Sequence, residues 1–453
     1  MWRKRFFALI IFLLPWQAHY VLLSSTLADT VSSYTAINLY AIDVLLLIAI
    51  LWSWRSVLFW FQSCARSRTT WRSKVFVAVV GCAVAINLMG SPVLALAVVQ
   101  AVTLLLFMFF GIALIQENDW RRVRFAFIVS AAVQSLLALT QFFTQSIVGS
   151  TFFGMAQQMA SHGGTSVIET ASERLLRAYG SFPHPNILGG FLALALVATI
   201  DWYFVAYENF QAWWNKHGVG NRALYREPEV RNMAATVSLL LGMVVIIFSG
   251  LYVTFSRGAA LAAGIGVLVY FLHKAWHNRV RASALAFKLG LALMLTMLTW
   301  AFIVPGLWTA RVTSSTRLDT LSNTSRLAEF AEGEALFLQH PVFGVGIANY
   351  IPALLLSKPN EPSYTYQPAH NVLLIVGVEL GLVGIVLLAG GVFVNLRKIR
   401  QWLERGAVVF VGALSIFLVL ASLDHYLWTL HSGLVFWLIA VVLYYPLPSR
   451  RHS

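Results

Sequence analysis

Three short stretches hold the side chains able to grip an anion or move a proton. "RAYGSFPHPNILGGFL" (177–192) sets Arg177, His184 and Asn186 ahead of a long apolar run, and "TFSRGAALAAG" (254–264) sets Arg257 at the head of another. "QPAHNVLLIVGVELG" (367–381) does the same with His370 and Asn371. A guanidinium stays charged and presents a fork of donors matched to phosphate oxygens, so Arg177 and Arg257 suit a diphosphate. An imidazole at His370 could take a proton from an incoming hydroxyl. Asn371 could bind substrate or fix that imidazole, and Asn186 sits one residue beyond Pro185. Each has a plainer use as well. Arg257 could snorkel at a helix end, Arg177 could be a solvated loop arginine, and His370 a satisfied interfacial histidine. His184, pinned between Pro183 and Pro185, reads first as a turn element.

These residues need a scaffold, and composition says which kind. Hydrophobic residues make up 59% of the 453 and charged ones 11%, more apolar surface than a soluble core can bury. Apolar runs recur at the roughly 20 residues per crossing that a bilayer core of about 30 Å requires. They predict an all-α polytopic transmembrane bundle of about 12 spans, near 6–24, 37–54, 75–90, 93–115, 124–147, 187–207, 234–253, 258–273, 288–305, 371–394, 406–422 and 431–446. The runs are continuous rather than alternating, which excludes a membrane β-barrel.

The formal charge of +14 follows topology and does not call for nucleic acid. Basic clusters fall in every second gap between spans, which by the positive-inside rule is the cytoplasmic side and takes both termini with it. Seven of the 32 Lys and Arg lie on the other face: Arg174, Arg177, Arg257, Arg311, Arg317, Arg326 and Lys358. The chain then reads as a single integral membrane domain, 1–453, with an external loop at 148–185 and a large one at 306–369. The large loop carries a surface helix that starts near 323–325, where Asn and Ser suit an N-cap, and ends at His340 before Pro341. Leu327, Phe330, Ala331, Leu336 and Phe337 would form its packed side, with Glu329, Glu332 and Glu334 on the polar side. Asp424, His425 and His431 fall in the short last external loop. Asp43 and Glu379 lie inside spans and are functional candidates by position. Gly377 and Gly381 read as a close-packing G-x-x-x-G pair. Two cysteines, Cys64 and Cys82, imply no disulfide framework, and no metal-ligand cluster shows in the spacing.

Taken together and in order, "RAYGSFPHPN", "SRGA", "HPVFGVGIANY" and "AHNVLL" resemble the O-antigen ligase and polymerase superfamily over about 124–384. The resemblance implies a GT-C-like membrane glycosyltransferase of the bacterial inner membrane. Such an enzyme transfers a glycan from undecaprenyl diphosphate to an acceptor hydroxyl at the external face, with no metal or other cofactor. Arg177 and Arg257 would hold the diphosphate and His370 would be the base, with Arg317 or Arg326 as a further phosphate contact. The acceptor could be lipid, glycan or protein, so a polymerase or a protein O-oligosaccharyltransferase stands beside the ligase. Outside the superfamily, a lipid or sugar flippase could use the same arginines. Against it, the sequence shows no internal repeat.

Overall fold

The computed structural model describes the chain apart from residues 28–29, 67–70, 170–173, 218–226, 278, 305–316, 360, 363–364, 405–407 and 445–453. Arg311 and the first part of the 306–369 loop therefore lie outside the described residues, as does the side chain of Arg317.

The protein is mostly helical. In chain order α1 (Trp2–Leu13) leads into an antiparallel hairpin of β1 (His19–Leu27) and β2 (Thr30–Tyr40), then α2 (Ala41–Trp52), α3 (Trp54–Arg66), α4 (Trp71–Met89), α5 (Leu94–Glu117) and α6 (Trp120–Thr144). Two small sheets follow, β3 (Ser146–Ile147) with β4 (Gln158–Met159) and β5 (Val167–Glu169) with β6 (Arg174–Leu176). Then come α7 (Pro185–His217), α8 (Pro228–Val253), α9 (Arg257–His277), α10 (Arg279–Ile303), α11 (Arg317–Gln339) and α12 (Tyr350–Ser357). The last four are α13 (Val372–Glu404), α14 (Val408–Leu423), α15 (Tyr426–Thr429) and α16 (His431–Tyr444).

Among the described residues seven helices are long and apolar enough to cross a membrane, or eight if α2 and α3, bent by 68°, form one span. Val79–Met89, Val408–Leu423 and His431–Tyr444 are apolar but shorter. The expected all-α fold is corrected at its start. The predicted span 6–24 is helical only to Leu13, and its second half is strand β1. Pro15 has no N–H to continue a helix, and the Ser, Thr and β-branched residues of 24–37 pair as strands. Apolarity alone does not distinguish the two, so periodicity was an unsafe guide here.

Helix α7 is the axis of the bundle, buried over nearly its whole apolar length. Its first turn accepts Pro185, whose missing N–H is an orphan at a helix start anyway. Close approach then depends on glycine: a Cβ at Gly190 would lie 2.1 Å from the Tyr426 hydroxyl. Around α7 pack α6, α8, α9, α14 and α16.

Helix α13 breaks at Gly381, where φ is +64° and ψ −171°. The break exposes the carbonyls of Val378 and Glu379, which accept from Val345 N (2.8 Å) and Gly346 N (3.0 Å). Leu382 N and Val383 N return the bonds to Pro341 O and Val342 O. The "HPVFGVG" segment is thus stitched into the helix. Glu379 is a structural carboxylate, accepting from Ala348 N, Tyr350 N and the Trp428 indole. Asp43 likewise pairs with His431 at 2.8 Å, whose ring stacks on Tyr40. Gly377 meets Phe337 of α11, so the two glycines do different jobs.

A Cβ at position 381 would stand 2.3 Å from Val342 O, on backbone that L residues rarely adopt. Gly381→Ala is expected to cost about 1–3 kcal/mol, read as a lower denaturation midpoint in detergent. Gly377→Ala, whose methyl group meets Phe337 at 3.5 Å, serves as the tolerated control.

Candidate active site

The loop before α7 is held from below by two buried glutamines of α6. Gln141 accepts from Tyr179 N and Gly180 N and donates to Gly180 O, and Gln134 accepts from Ser181 N at 2.8 Å. Ala178 N reaches Val253 O at the end of α8 (3.0 Å). Because the backbone on both sides is pinned, Arg177 has little freedom. Its Nε donates to Thr254 O at 2.8 Å and a terminal nitrogen donates to Asn186 Oδ1 at 2.7 Å. Asn186 passes the connection on, its Nδ2 donating to Asp424 Oδ2 at 2.9 Å. Three segments distant in sequence are joined by two side chains.

The arginine faces a cavity of about 600 Å³ whose wall includes Ser166, Arg174, Arg177, Asn186, Ser256, Arg257, Arg326, Asp424 and Tyr426. Arg257 is exposed at the first turn of α9, where Ser256 Oγ caps Ala259 N at 3.3 Å. That helix start adds its own partial positive charge to the site. The cavity gathers four guanidinium groups and one carboxylate. A second, apolar groove of about 480 Å³ runs between α8, α9 and α10, lined by Phe248, Leu251, Tyr252, Ala263, Leu293 and Met297. The two spaces share Phe255, Ser256 and Arg257.

The sequence candidates divide. Arg177, Arg257, Asn186 and Arg326 stand around one space. His370 is not in that wall. It lies behind it, its ring 5.1 Å from that of His425 and at 82° to it, with a ring nitrogen within 4.8 Å of the Asp424 carboxylate. Asn371 does not touch the imidazole: its Oδ1 accepts from Leu374 N at 3.0 Å and caps α13. His184 is the turn element that its flanking prolines suggested. Its Nδ1 accepts from Asn186 N (3.2 Å), so Nε2 carries the proton and donates to Ser166 Oγ (2.9 Å). Arg317 begins α11 nine residues before Arg326, about 13.5 Å along the axis at 1.5 Å per residue.

Helix α11 begins at Arg317, earlier than the predicted 323–325; Leu336 and Phe337 pack and Glu334 is exposed as expected, but one turn is reversed. Leu327 is 74% exposed and Phe330 48%, whereas Glu329 is 9% exposed. The reason is a partner: Glu329 Oε2 lies 2.8 Å from His370 Nδ1. Sequence reading missed Glu329 as well as Arg174, Asp424 and His425 as site residues.

Burial lowers the His184 pKa to about 3, with the charge of Arg177 adding to the effect. Burial also takes His425 down to about 4, against the pull of Asp424. For Asp424 burial acts upward, but the imidazoles of His425, His370 and His184 and the Asn186 amide outweigh it and hold the carboxyl below its usual range. The site at neutral pH therefore contains neutral His184 and His425 beside an ionised Asp424.

His370, Asp424 and His425 are the described residues that could offer a metal three ligands, with donor atoms within 4.8 Å of one another. The spacing of 54 residues hides this group from the sequence. Ligands at 2.0–2.1 Å on a tetrahedron lie about 3.3 Å apart, and His425 Nε2 stands 3.9 Å from Asp424 Oδ1, wider than in a formed zinc centre.

Residues 242–389 match the family model described as O-antigen ligase. The match runs from the second half of α8 through α9 to α12 and into α13. It contains Arg257, Arg326, Glu329 and His370, whereas Arg174, Arg177, Asn186 and Asp424 lie outside it. No curated protein and no solved structure matches the chain.

A histidine held neutral in the fold stabilises it only while the unfolded chain is neutral too. The contribution is complete above the unfolded value near 6.5 and is lost as pH falls from there toward the folded values of about 3 and 4. The denaturation midpoint is expected to fall between pH 6.5 and 4.5. His184→Gln should flatten that fall, as measured by scanning fluorimetry in detergent.

Proposed function

We propose that this protein transfers a glycan from undecaprenyl diphosphate to an acceptor hydroxyl at the outer face of the bacterial inner membrane, as an O-antigen ligase does. The observation that carries the reading is the meeting of two unlike spaces at Arg257. A cavity with four arginines fits a diphosphate, and the apolar groove beside it fits the prenyl chain attached to that diphosphate. An amphiphilic donor needs both within a bond or two of each other.

Orientation follows from where the charges lie. The cavity takes in the start of α7, the α8–α9 turn, the start of α9 and the end of α14, all at one end of the bundle. Arg121, Arg122, Lys216, Arg231, Lys274 and Arg279 lie toward the opposite helix ends. Under the positive-inside rule the latter end is cytoplasmic, which takes the site outside and both termini inside.

In the reaction the acceptor oxygen attacks the anomeric carbon while the bond from that carbon to the diphosphate oxygen breaks. The electron pair leaves with the diphosphate. Negative charge grows on the leaving group, and Arg177, Arg257, Arg174 and Arg326 are already in place to stabilise it. Arg177 needs no reorganisation, because it is held by Thr254 O and Asn186. The proton of the acceptor hydroxyl passes to His370, so the acceptor enters from the side of α11 and the Asp424–His425 loop. Charge stabilisation by guanidinium groups makes the transfer independent of a divalent metal.

The flippase alternative has less behind it. A broken helix is a transporter feature, but the carbonyls freed at Gly381 are taken up by the protein's own Val345 and Gly346 N–H groups. A lipid acceptor, as for the ligase, is favoured over a protein one by the exposed Leu327, Phe330 and Leu338 on α11, an apolar face that suits lipid beside the acceptor entrance.

Removing one donor from such a site costs about 2.7–4 kcal/mol, a loss of roughly 10²–10³ in rate. Arg177→Ala and Arg257→Ala are each expected to lose glycan transfer by that factor, assayed with purified, folded protein and lipid-linked glycan. A chelator should leave wild-type transfer unchanged. Normal transfer by either variant removes the diphosphate role, and loss of transfer with chelator removes the metal-free mechanism.

A further inference from the structure

Of the three glutamates on α11, Glu332 pairs with Lys358, Glu334 faces outward and Glu329 is buried. A helix lying over the mouth of a membrane site gains nothing in packing by turning a carboxylate inward and two large apolar side chains outward. Burying Glu329 is favourable only if its charge is met, and what meets it is Nδ1 of His370 at 2.8 Å. A carboxylate oxygen can only accept, so Nδ1 carries the proton. In the neutral ring the other nitrogen, Nε2, then keeps its lone pair. The backbone carbonyl of Glu329 is also engaged, by the Tyr350 hydroxyl at 3.5 Å. Tyr350 is itself buried, and Gly333 leaves room for it: a Cβ there would meet the hydroxyl at 2.8 Å. The turn of α11 that bears Glu329 is therefore seated on α12.

Resting on the transfer reaction above, we propose that Glu329 is the positioning residue for its base. It accepts the Nδ1–H of His370, fixes the tautomer that leaves Nε2 basic, and aims the ring toward Asp424 and His425 at the cavity's edge. The arrangement has the logic of any oriented imidazole: the partner of one nitrogen decides what the other can do. In a Ser-His-Asp triad, changing the carboxylate so that the tautomer is wrong lowers kcat about 10⁴-fold with the geometry intact. Here the carboxylate sits 41 residues ahead of its histidine, on a helix outside the bundle. The base is therefore competent only while α11 is docked. Other groups near His370 cannot replace Glu329. His425 meets it edge to face, and Asp424 is committed to Asn186 and to His425 N.

The decisive experiment uses the full chain labelled with ¹⁵N-histidine in lipid nanodiscs, with the His370 resonances assigned by their loss in His370→Gln. The wild type is expected to show the Nδ1–H tautomer, Glu329→Leu a mixture of tautomers, and Glu329→Asp a partial return. In the transfer assay Glu329→Leu should lower kcat about 10²-fold, the low end of what a positioned base contributes. KM for the lipid-linked donor should stay within about twofold, since the arginines that bind it are untouched. On a His370→Gln background the same change should cost nothing further. An unchanged tautomer in Glu329→Leu overturns the proposal, as does a loss that adds in full to that of His370→Gln. If Glu329→Leu does not fold, Glu329→Asp decides by the same two measurements: a wild-type tautomer and unchanged kcat overturn the proposal, and a shift in both supports it. A wild-type chain that transfers no glycan would remove the transfer reading alone, because the tautomer is measured without substrate.

Discussion

A guanidinium at the end of an apolar bundle must have its donors met, and in this protein that requirement joins the loop before α7, the α8–α9 turn and the last loop. Arg177 satisfies itself on Thr254 O and Asn186, and Asn186 on Asp424. Each link is short because the backbone beneath it is already fixed by Gln134 and Gln141 of α6. Charged hydrogen bonds in a poorly hydrated place are strong when complete and costly when one partner is missing. The network therefore specifies how four helix ends meet, and the cavity is the space those ends enclose. Arg177, so held, lines that cavity beside three further arginines.

The same principle explains the ionisable groups that lie away from the arginine cavity. Arg124, wholly buried, is met by Asp201 at 3.0 Å, and the Tyr270 hydroxyl donates to Asp201 at 3.2 Å. Glu379 holds the 346–350 turn, and Asp43 holds His431. Charge within a span is a good sign that a group has a specific partner. It is a poor sign of catalysis unless a cavity is also present, and neither Glu379 nor Asp43 lines the arginine cavity.

Some of this was legible in the sequence. Arg177 and Arg257 stood out because they precede apolar runs on the face that carries few basic residues, and both line the cavity. Asn186 was legible by proximity. Asp424 was not, because it is 238 residues from Asn186 and only the packing of α14 against α7 and α9 brings them together. Helix α11 misled for a physical reason. Its outward Leu327 and Phe330 look like a core face in a soluble protein, but beside a bilayer an apolar residue can face lipid while a glutamate turns in toward a histidine. The amino-terminal hairpin misled because strand and helix share apolarity, and a 12-residue α1 is about 18 Å long, too short for a crossing by itself.

The division between matched and unmatched sequence bears on how such a site divides its work. The O-antigen ligase match covers α9, α11 and the start of α13, and so supplies Arg257, Arg326, Glu329 and His370. What it omits, Arg177 with Asn186 and Asp424, is the part held most tightly by the bundle. On the proposed reading, a donor with its prenyl chain in the groove beside α9 would set its diphosphate between Arg257, which both spaces share, and the fixed Arg177. Binding energy from the tail would then bring charge against a preorganised guanidinium, and His370, the proposed proton acceptor, is held by Glu329 of α11. The cavity thus takes Arg177, Asn186 and Asp424 from the bundle and Arg326 from α11, and the same helix carries Glu329, the partner of His370, so the docking of α11 bears on both halves of the site.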